Sequence, residues 1–532
     1  MGAIRDNSFV INRRSVRAKS TNSLAVLVLV PALGCSSSSP GSGAAPGDGG
    51  TGDAGAATGL VCYPDRPATA YTAQATSSVA ASSGPGTAPY PCLSLTGFGT
   101  SESSLGIASD GTLFVAPAYT NDGNGVARST DNGQTWQALI PTADAGGAHG
   151  RVQPFFYLDP STDRMFFATS HTGGGFDLSW SSDKGTTWSY ELVSTDAQDW
   201  IKIYAGPAAT TAPTGYPNVV YTSAPSPIST PSDGLTPGPD HQTVYKSLDG
   251  GMTWQSVGGT ALTLNPSNEV TAGLATSTVC PSTEWVIFGD GVVGADGTVY
   301  IGYRMCTELA IAISKDEGNT WSSVVVPGSV LPTFSSPLSP LSTQNLLASE
   351  PIAVDASGNI YAVWNDAQGL VHLSVSMDHG ATWTSGGASG ALVASAPGVT
   401  STVLSAIGVK APGTISIAYF GSTDGKAYSG YLAESTNALS AQPVFWSTTV
   451  DDPSEPFFAN GFDNDYAQSL SGGDLDEFVQ VKYAPDGDVW VSFLKEMCPG
   501  LEKNACTWSL ADHANSVFEG AVGRLVHATG GS

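Results

Sequence analysis

Five charged residues are candidates for chemistry, because each lies at one end of a run of β-type residues. Asp199, Glu350 and Glu477 carry carboxylates, and Arg151 and Arg304 carry guanidinium groups. Two carboxyl groups that face one cleft can share acid–base work or cleave a glycosidic bond. A guanidinium can hold a carboxylate through two parallel hydrogen bonds. The alternative is that these charged side chains only line a solvated surface. The positions of the strands that carry them determine which interpretation applies.

The acidic, glycine-rich stretch 461–477 is a candidate cation site. It contains Asp463, Asp465, Asp474 and Asp476. Carboxylate oxygens in such a loop are the ligands that Ca²⁺ prefers. The spacing does not fit an EF-hand, so the stretch is predicted to be either an irregular Ca²⁺ loop or a solvated acidic loop.

Six cysteines follow Cys35, and their even number in an exported chain predicts disulfides. Proximity along the chain favours the pairs Cys62–Cys92, Cys280–Cys306 and Cys498–Cys506. The sequence has no CxxC or HExxH spacing and therefore no zinc signature.

One eight-residue motif occurs five times. It reads STDNGQTW (129–136), SSDKGTTW (181–188), SLDGGMTW (247–254), SKDEGNTW (314–321) and SMDHGATW (376–383). In each copy the Asp can cap a turn and the Gly can adopt the left-handed backbone that the turn requires. The Trp can supply most of the buried area.

This pattern resembles the Asp box, or BNR repeat, of sialidases and related β-propellers. The resemblance covers about residues 95–450 and implies a sialidase-like propeller fold. In that family the box is a structural turn away from the active site. The resemblance therefore implies a structural role for the box aspartates, Asp131, Asp183, Asp249, Asp316 and Asp378.

The boxes are 52 to 67 residues apart, a period that indicates one supersecondary unit per repeat. Tight glycine turns before alternating strands, as in 109–116 and 295–303, indicate a β-hairpin in each unit. The order strand A, glycine turn, strand B, loop, strand C, Asp box, strand D predicts an all-β propeller of four-stranded blades. Seven blades are favoured, with 61–95 supplying the last strand, and six blades are the alternative.

Alternating strand directions place the A–B glycine turns and the Asp boxes on one side, here called the Asp-box face. The opposite side, the long-loop face, receives the B–C loops and the D–A crossovers, including 223–241, 258–283, 327–349 and 448–476. Long loops in a compact fold are usually functional. The five candidate residues fall at this side, so we predict ligand binding on the long-loop face.

Sialidases hold the substrate carboxylate with three arginines and use a Tyr–Glu nucleophile with an Asp as acid and base. Only six arginines follow Cys35, and the Arg-Ile-Pro segment of that family is missing. Arg128 and Arg164 are predicted on the Asp-box face, which leaves Arg151 and Arg304 well placed. Sialidase activity therefore lacks support at its most diagnostic position.

The N-terminus resembles a bacterial lipoprotein signal. Basic residues precede the apolar run 24–33, and the sequence ending at Cys35 (ALGC) resembles a lipobox. We predict a signal peptide over 1–34, a flexible linker over 35–60 with an acylated Cys35, and the propeller over 61–532. An ordinary secretory signal is the alternative. The expected location is the bacterial envelope, as an outer-membrane lipoprotein, or outside the cell.

The net charge of the chain limits the classes of molecule that it can bind. The net charge is −26, and removal of residues 1–34 takes away five of the 20 basic and one of the 46 acidic residues, which gives −30. This charge argues against nucleic acid and anionic lipid surfaces, so bilayer contact is expected through the acyl anchor alone. Three functions remain: a monomeric propeller that binds glycan or an extracellular protein, a glycosidase for neutral glycans, and a sialidase.

Overall fold

The computed structural model describes residues 59–84, 86–120, 123–141, 152–170, 175–195, 201–225, 241–257, 262–263, 288–305, 308–331, 351–383, 391–459, 479–497 and 518–527. Every regular element in these ranges is a β-strand, which confirms the predicted all-β class. Across the same ranges, no helix is long and apolar enough to cross a membrane.

Four strands come first in the chain, and units that are built mostly from four strands follow. The first strands are β1 (Val61–Cys62), β2 (Thr69–Thr72), β3 (Val79–Ala80) and β4 (Tyr90–Gly99). Unit 1 has β5 (Ser104–Ile107), β6 (Leu113–Thr120), β7 (Gly123–Ser129) and β8 (Gln137–Leu139). Unit 2 has β9 (Val152–Asp159), β10 (Arg164–Ser170), β11 (Phe176–Ser181) and β12 (Ser189–Ser194). Unit 3 has β13 (Lys202–Gly206), β14 (Val219–Pro225), β15 (His241–Ser247) and β16 (Gln255–Ser256), with β17 (Leu262–Thr263) also paired to β15.

The second half of the chain repeats this plan. Unit 4 has β18 (Phe288–Val293), β19 (Val299–Met305), β20 (Glu308–Ser314) and β21 (Ser322–Val325). Unit 5 has β22 (Ile352–Val354), β23 (Ile360–Asn365), β24 (Val371–Ser376) and β25 (Leu392–Val393). Unit 6 has β26 (Ser401–Ala411), β27 (Thr414–Ser422), β28 (Ser429–Ser435) and β29 (Val444–Thr449). Unit 7 has β30 (Gln480–Tyr483), β31 (Val489–Glu496) and β32 (Phe518–Val526).

The N-terminal strands complete two of the last units. β4 pairs antiparallel with β32, so it is the fourth strand of unit 7, as the sequence predicts for 61–95. β2 pairs with β29 and β3 pairs with β2, which extends the outer edge of unit 6. The disulfide Cys62–Cys92 joins β1 to β4 and confirms the first predicted pair.

The first strand of each unit lies beside the first strands of its neighbours. The order of contact is β5, β9, β13, β18, β22, β26 and β30, and β30 in turn contacts β5. Apolar clusters fill the space between consecutive units. One of them joins Tyr204 and Tyr221 of unit 3 to Ile301 and Tyr303 of unit 4. The core is therefore a set of layers between units.

All five Asp boxes fold in the same way. The serine hydroxyl donates to aspartate Oδ1, the threonine hydroxyl donates to Oδ2, and the glycine N–H donates to the serine oxygen. The box glycines have φ between 80° and 101°. The threonine hydrogen bond lowers the pKa of Asp131, Asp183 and Asp378. The aspartates thus organise their own turns.

Each box also contacts the unit before it in the ring. The contacts pair Gly133 with Ser94, Lys184 with Asp110, Gly250 with Arg164, Glu317 with Thr210 and Thr211, and His379 with Tyr300. The box is therefore a clip between neighbouring units as well as a local turn.

Glu317 contacts three residues of unit 3. Its Oε1 accepts the backbone N–H groups of Thr210 and Thr211, each at 2.7 Å, and its Oε2 lies 3.2 Å from Lys246 Nζ. The side chain is fully buried. Burial by itself would raise the pKa of Glu317, but the two N–H donors and Lys246 outweigh it and lower the pKa to about 2.

Candidate functional site

The described residues include one of the five predicted catalytic candidates. Arg304 lies on β19 opposite Leu309 and is completely buried. Asp199, Glu350, Glu477 and Arg151 lie outside the described residues. The same holds for the proposed Ca²⁺ ligands Asp463, Asp465, Asp474 and Asp476, for Cys35, and for Cys280, Cys306, Cys498 and Cys506. Within the described part of the chain, no group of three or more His, Cys, Asp or Glu side chains could hold a metal ion.

Three polar side chains meet at the centre of the ring. Gln480 Nε2 donates to Asp290 Oδ2 at 2.8 Å, and Lys202 Nζ lies 3.7 Å from Asp290 Oδ1. Units 4 and 7 are not neighbours, so the Gln480–Asp290 hydrogen bond crosses the centre of the ring. We call Lys202, Asp290 and Gln480 the axial cluster.

The axial cluster lies toward the long-loop face. Lys202 and Gln480 are the first residues of β13 and β30, and Asp290 is the third residue of β18. These strand ends are opposite the ends that carry the A–B turns. The backbone N–H of Leu105, on β5, donates to Gln480 Oε1 at 2.8 Å and fixes the amide. Strands of units 3 and 7 therefore bring side chains to the carboxylate of Asp290 in unit 4, and unit 1 holds the Gln480 amide.

The cluster is closely packed. The side chain of Lys202 is fully buried, and that of Asp290 is 12% exposed. Lys202 Nζ lies 4.8 Å from the centre of the Phe155 ring. A Cβ atom on Gly291 would lie 2.5 Å from the Tyr204 ring, so glycine is required for the ring to pack against β18. Burial raises the pKa of Tyr204, and the negative charge of Asp290 adds to this effect.

The electrostatics of the cluster limit its chemistry. The Lys202 ammonium and the Gln480 amide both stabilise the charged form of Asp290. A carboxylate in this position can act as a base or a nucleophile when it is ionised. The lysine charge is balanced within the cluster, so the cluster offers no net positive charge to an anionic ligand.

The arginines described by the structure serve other contacts. Arg128 and Arg164 donate to Lys184 O and Gly250 O in Asp boxes, which confirms their predicted face. Arg66 donates to the backbone oxygen of Asp451 and lies over the Tyr63 ring. Arg524 pairs with Asp486 and Asp488 at the A–B turn of unit 7. With Arg304 buried in unit 4, these five arginines do not form a carboxylate-binding triad.

Sequence reasoning missed the axial cluster. Lys202, Asp290 and Gln480 are isolated polar residues next to apolar strand residues. The available signal was a polar residue at the start of an inner strand, the same signal that selected Arg151 and Glu350. What the sequence lacked was the strand register that brings residues 190 positions apart into contact.

Comparison with known proteins adds family information. A family model described as BNR/Asp-box repeat matches residues 127–138, which contain the first box. The chain is similar to a xyloglucanase of a Paenibacillus species, with 26% identity over 295 residues, 52% of this chain and 25% of that protein. It is also similar to xyloglucanase Xgh74A of Acetivibrio thermocellus, with 31% identity over 168 residues, 30% of this chain and 19% of that protein. The chain thus matches about a quarter or less of the length of these relatives.

Solved structures give weaker likenesses. The NanB sialidase of Streptococcus pneumoniae has a TM-score of 0.41 at 11% identity, with 88% of this chain and 94% of that chain covered. The leech intramolecular trans-sialidase has a TM-score of 0.40 at 11% identity, with 87% and 92% covered. Five copies of one hydrogen-bonded turn, together with the family match at the first copy, show that this chain carries BNR/Asp-box repeats.

Proposed function

We propose that this protein is an exported, lipid-anchored, seven-bladed β-propeller that binds a neutral glycan on its long-loop face. One observation carries the choice of a neutral ligand. The axial cluster balances its own charge, and the five described arginines are engaged elsewhere. A site for an anionic sugar needs guanidinium groups that converge on one carboxylate.

Three features support the seven-bladed ring. The first strands of the seven units follow one another in contact until β30 meets β5. The nine-stranded sheet contains units 7 and 1, which are joined through the single pair Gly99–Tyr119. Closure of the last unit by β4 is a further sign of a ring, because an N-terminal strand there ties the two chain ends together.

The similarity to xyloglucanases supports a neutral polysaccharide as the ligand. Their names give xyloglucan as the substrate of those proteins, and xyloglucan is an uncharged, branched glucan. This similarity covers part of the chain, so it favours a ligand class for this protein and does not carry over an activity. A protein partner on the same face is the other outcome of the test below.

Hydrolysis of a neutral glycan is the second candidate function. Asp290 favours it, because Lys202 and Gln480 hold this carboxyl group in a fixed position at the centre of the ring. A glycosidase needs a second, protonated carboxyl group about 5–9.5 Å away. Asp199, Glu350 and Glu477 remain the predicted sources of that group.

The test is retention of the full-length protein in native gels that contain soluble xyloglucan, compared with gels that contain a sialylated glycoprotein. We expect xyloglucan to slow the protein and the sialylated glycoprotein to leave it unaffected. Release of reducing ends from xyloglucan that stops in Asp290→Asn, with binding retained, would establish hydrolysis. Equal mobility in all gels would contradict glycan binding and favour a protein partner.

Export and lipidation need a separate test. We propose that Cys35 is acylated after cleavage, which mass spectrometry of the N-terminal peptide would detect as a diacylglyceryl cysteine. Cys35→Ser is expected to prevent this modification. An unmodified N-terminus elsewhere in the chain would favour the ordinary secretory signal. The Ca²⁺ loop and the pairs Cys280–Cys306 and Cys498–Cys506 stay predictions.

A further inference from the structure

Unit 6 has a C–D turn that departs from the Asp box. Aligned with Ser-x-Asp-x-Gly-x-Thr-Trp, residues 435–442 read STNALSAQ. Asn437 takes the place of the aspartate, and Gln442 takes the place of the tryptophan. Ser435 Oγ still donates to Asn437 Oδ1 at 2.9 Å, so part of the turn survives. The threonine hydroxyl and the indole are lost.

In other units, the missing groups fill a defined space. A Cβ atom on the box glycine of units 2 and 4 would lie 2.5 Å from Leu139 and 2.7 Å from Val257, at the outer edge of the preceding unit. The box tryptophans Trp188 and Trp321 pack in the same clusters as those two residues. The box therefore seals the gap between its own unit and the one before.

At the junction of units 5 and 6 the corresponding space is open. A cavity of about 590 Å³ lies between Leu392, in the last strand of unit 5, and the altered turn of unit 6. This volume falls within the range of small-molecule sites, about 300–1,000 Å³. The turn contributes Asn437, Ser440, Ala441 and Gln442 to the lining.

The N-terminal segment supplies the remaining wall. Gln74 and Ala75 line the cavity. Gln74 O accepts Val393 N–H at 2.8 Å, and Ala73 N–H donates to Pro443 O at 3.0 Å. The segment is thus hydrogen-bonded to both units beside the cavity, which gives the wall a fixed position.

The lining indicates the class of ligand. Four lining residues, Gln74, Asn437, Ser440 and Gln442, are polar and uncharged, and among the described residues of the lining none carries a charge. Amide and hydroxyl groups can donate to and accept from ligand hydroxyls. Leu392 is buried and gives the cavity an apolar side. A neutral ligand with several hydroxyl groups fits this combination.

We propose that the cavity between units 5 and 6, here called the rim site, binds a neutral saccharide unit separately from the long-loop face. The cavity stands on its own geometry, whereas the choice of a saccharide among neutral polar ligands rests on the proposed function. A second glycan contact at the rim would let one protein hold a polysaccharide at two points and gain avidity.

The test uses the full-length protein labelled at leucine methyl groups, with the Leu392 signal assigned by its loss in Leu392→Val. The probes are xyloglucan heptasaccharide, cellotetraose and 3′-sialyllactose. We expect the two neutral probes to shift the Leu392 methyl signal saturably. Gln74→Ala is expected to weaken this binding at least fivefold. Gln134→Ala, which removes an exposed amide from the intact box of unit 1, is the matched control and should leave it unchanged.

The double variant Ala441→Thr/Gln442→Trp restores two of the four altered box positions, the threonine and the tryptophan, and should fill the cavity and abolish the shift. If this variant fails to fold, Gln74→Ala and Ser440→Ala decide the outcome. No Leu392 shift with either neutral probe at 20 mM, or unchanged affinity in Gln74→Ala and Ser440→Ala, would overturn the rim site. Lys202→Met separates the two sites, since an axial variant should leave the Leu392 shift intact. A shift lost together with long-loop binding in that folded variant would contradict an independent rim site.

Discussion

Removal of the Glu317 charge is expected to weaken the clip between units 3 and 4. In Glu317→Gln, the N–H groups of Thr210 and Thr211 lose an ionised acceptor, and buried Lys246 loses its counter-charge. The Glu317 pKa falls from its ordinary 4.5 to about 2 in the folded protein. At about 1.4 kcal/mol per tenfold change, this corresponds to about 3 kcal/mol of folding free energy at pH 7. Breaking a buried ion pair costs a similar amount, about 3–5 kcal/mol.

The same reasoning fixes the pH dependence. Because the folded-state pKa is the lower one, the stabilisation is present above pH 4.5 and is lost as pH falls through about 2. At pH 3 the contribution falls to about 1 kcal/mol. The stability gap between wild type and Glu317→Gln should therefore shrink by about 2 kcal/mol between pH 7 and pH 3.

Denaturant unfolding followed by tryptophan fluorescence measures both quantities. Glu308→Gln is the matched control, because Glu308 is exposed on the same unit, and its effect should stay below about 0.5 kcal/mol. A Glu317→Gln variant as stable as Glu308→Gln at pH 7 would refute the proposed clip. A gap that stays constant down to pH 3 would show that the loss comes from packing and not from the charge.

Two further predictions concern His527, which follows the last strand, and the disulfide Cys62–Cys92, which joins β1 to β4. His527 Nδ1 lies 3.3 Å from Asp488 Oδ1, and His527 Nε2 lies 2.6 Å from Glu434 Oε2. These hydrogen bonds raise the pKa of His527 to about 9. Because the folded-state pKa is the higher one, the stabilisation is complete below pH 6.5 and is lost as pH rises through about 9. In His527→Asn this loss of stability at alkaline pH should disappear. Unfolding midpoints measured from pH 6 to 10 test this. The double variant Cys62→Ala/Cys92→Ala removes a disulfide between residues 30 positions apart. Its free energy of unfolding in denaturant should be about 3–4 kcal/mol lower than that of the wild type. An equal midpoint before and after reduction of the wild type would contradict this second prediction.

The fold was predictable where its signals are local. The box turn needs residues within one eight-residue stretch, so its hydrogen bonds and left-handed glycines follow from the motif itself. The glycine turns gave the hairpins for the same reason. The disulfide Cys62–Cys92 was predictable because the two cysteines are close in the chain, and β4 closed unit 7 because that unit lacked a fourth strand.

The axial cluster could not be predicted, because it depends on the relative positions of strands that are far apart in the sequence. The contact between Asp290 and Gln480 depends on how far each inner strand is shifted along the ring axis, and a shift of one residue would turn each side chain to the other face. The departure of unit 6 from the box motif can be read from its sequence, STNALSAQ at 435–442. The cavity became apparent once Leu392 and Gln74 were placed beside the turn.

Calorimetric titration of the full-length protein with xyloglucan heptasaccharide and with 3′-sialyllactose tests the neutral-glycan site most directly. We predict binding of the heptasaccharide with an affinity that is the same at 50 mM and 500 mM NaCl, because no net charge takes part. We predict no binding of the sialoside. Tighter binding of 3′-sialyllactose that weakens as salt rises would contradict a neutral site and point to a cationic pocket on the long-loop face.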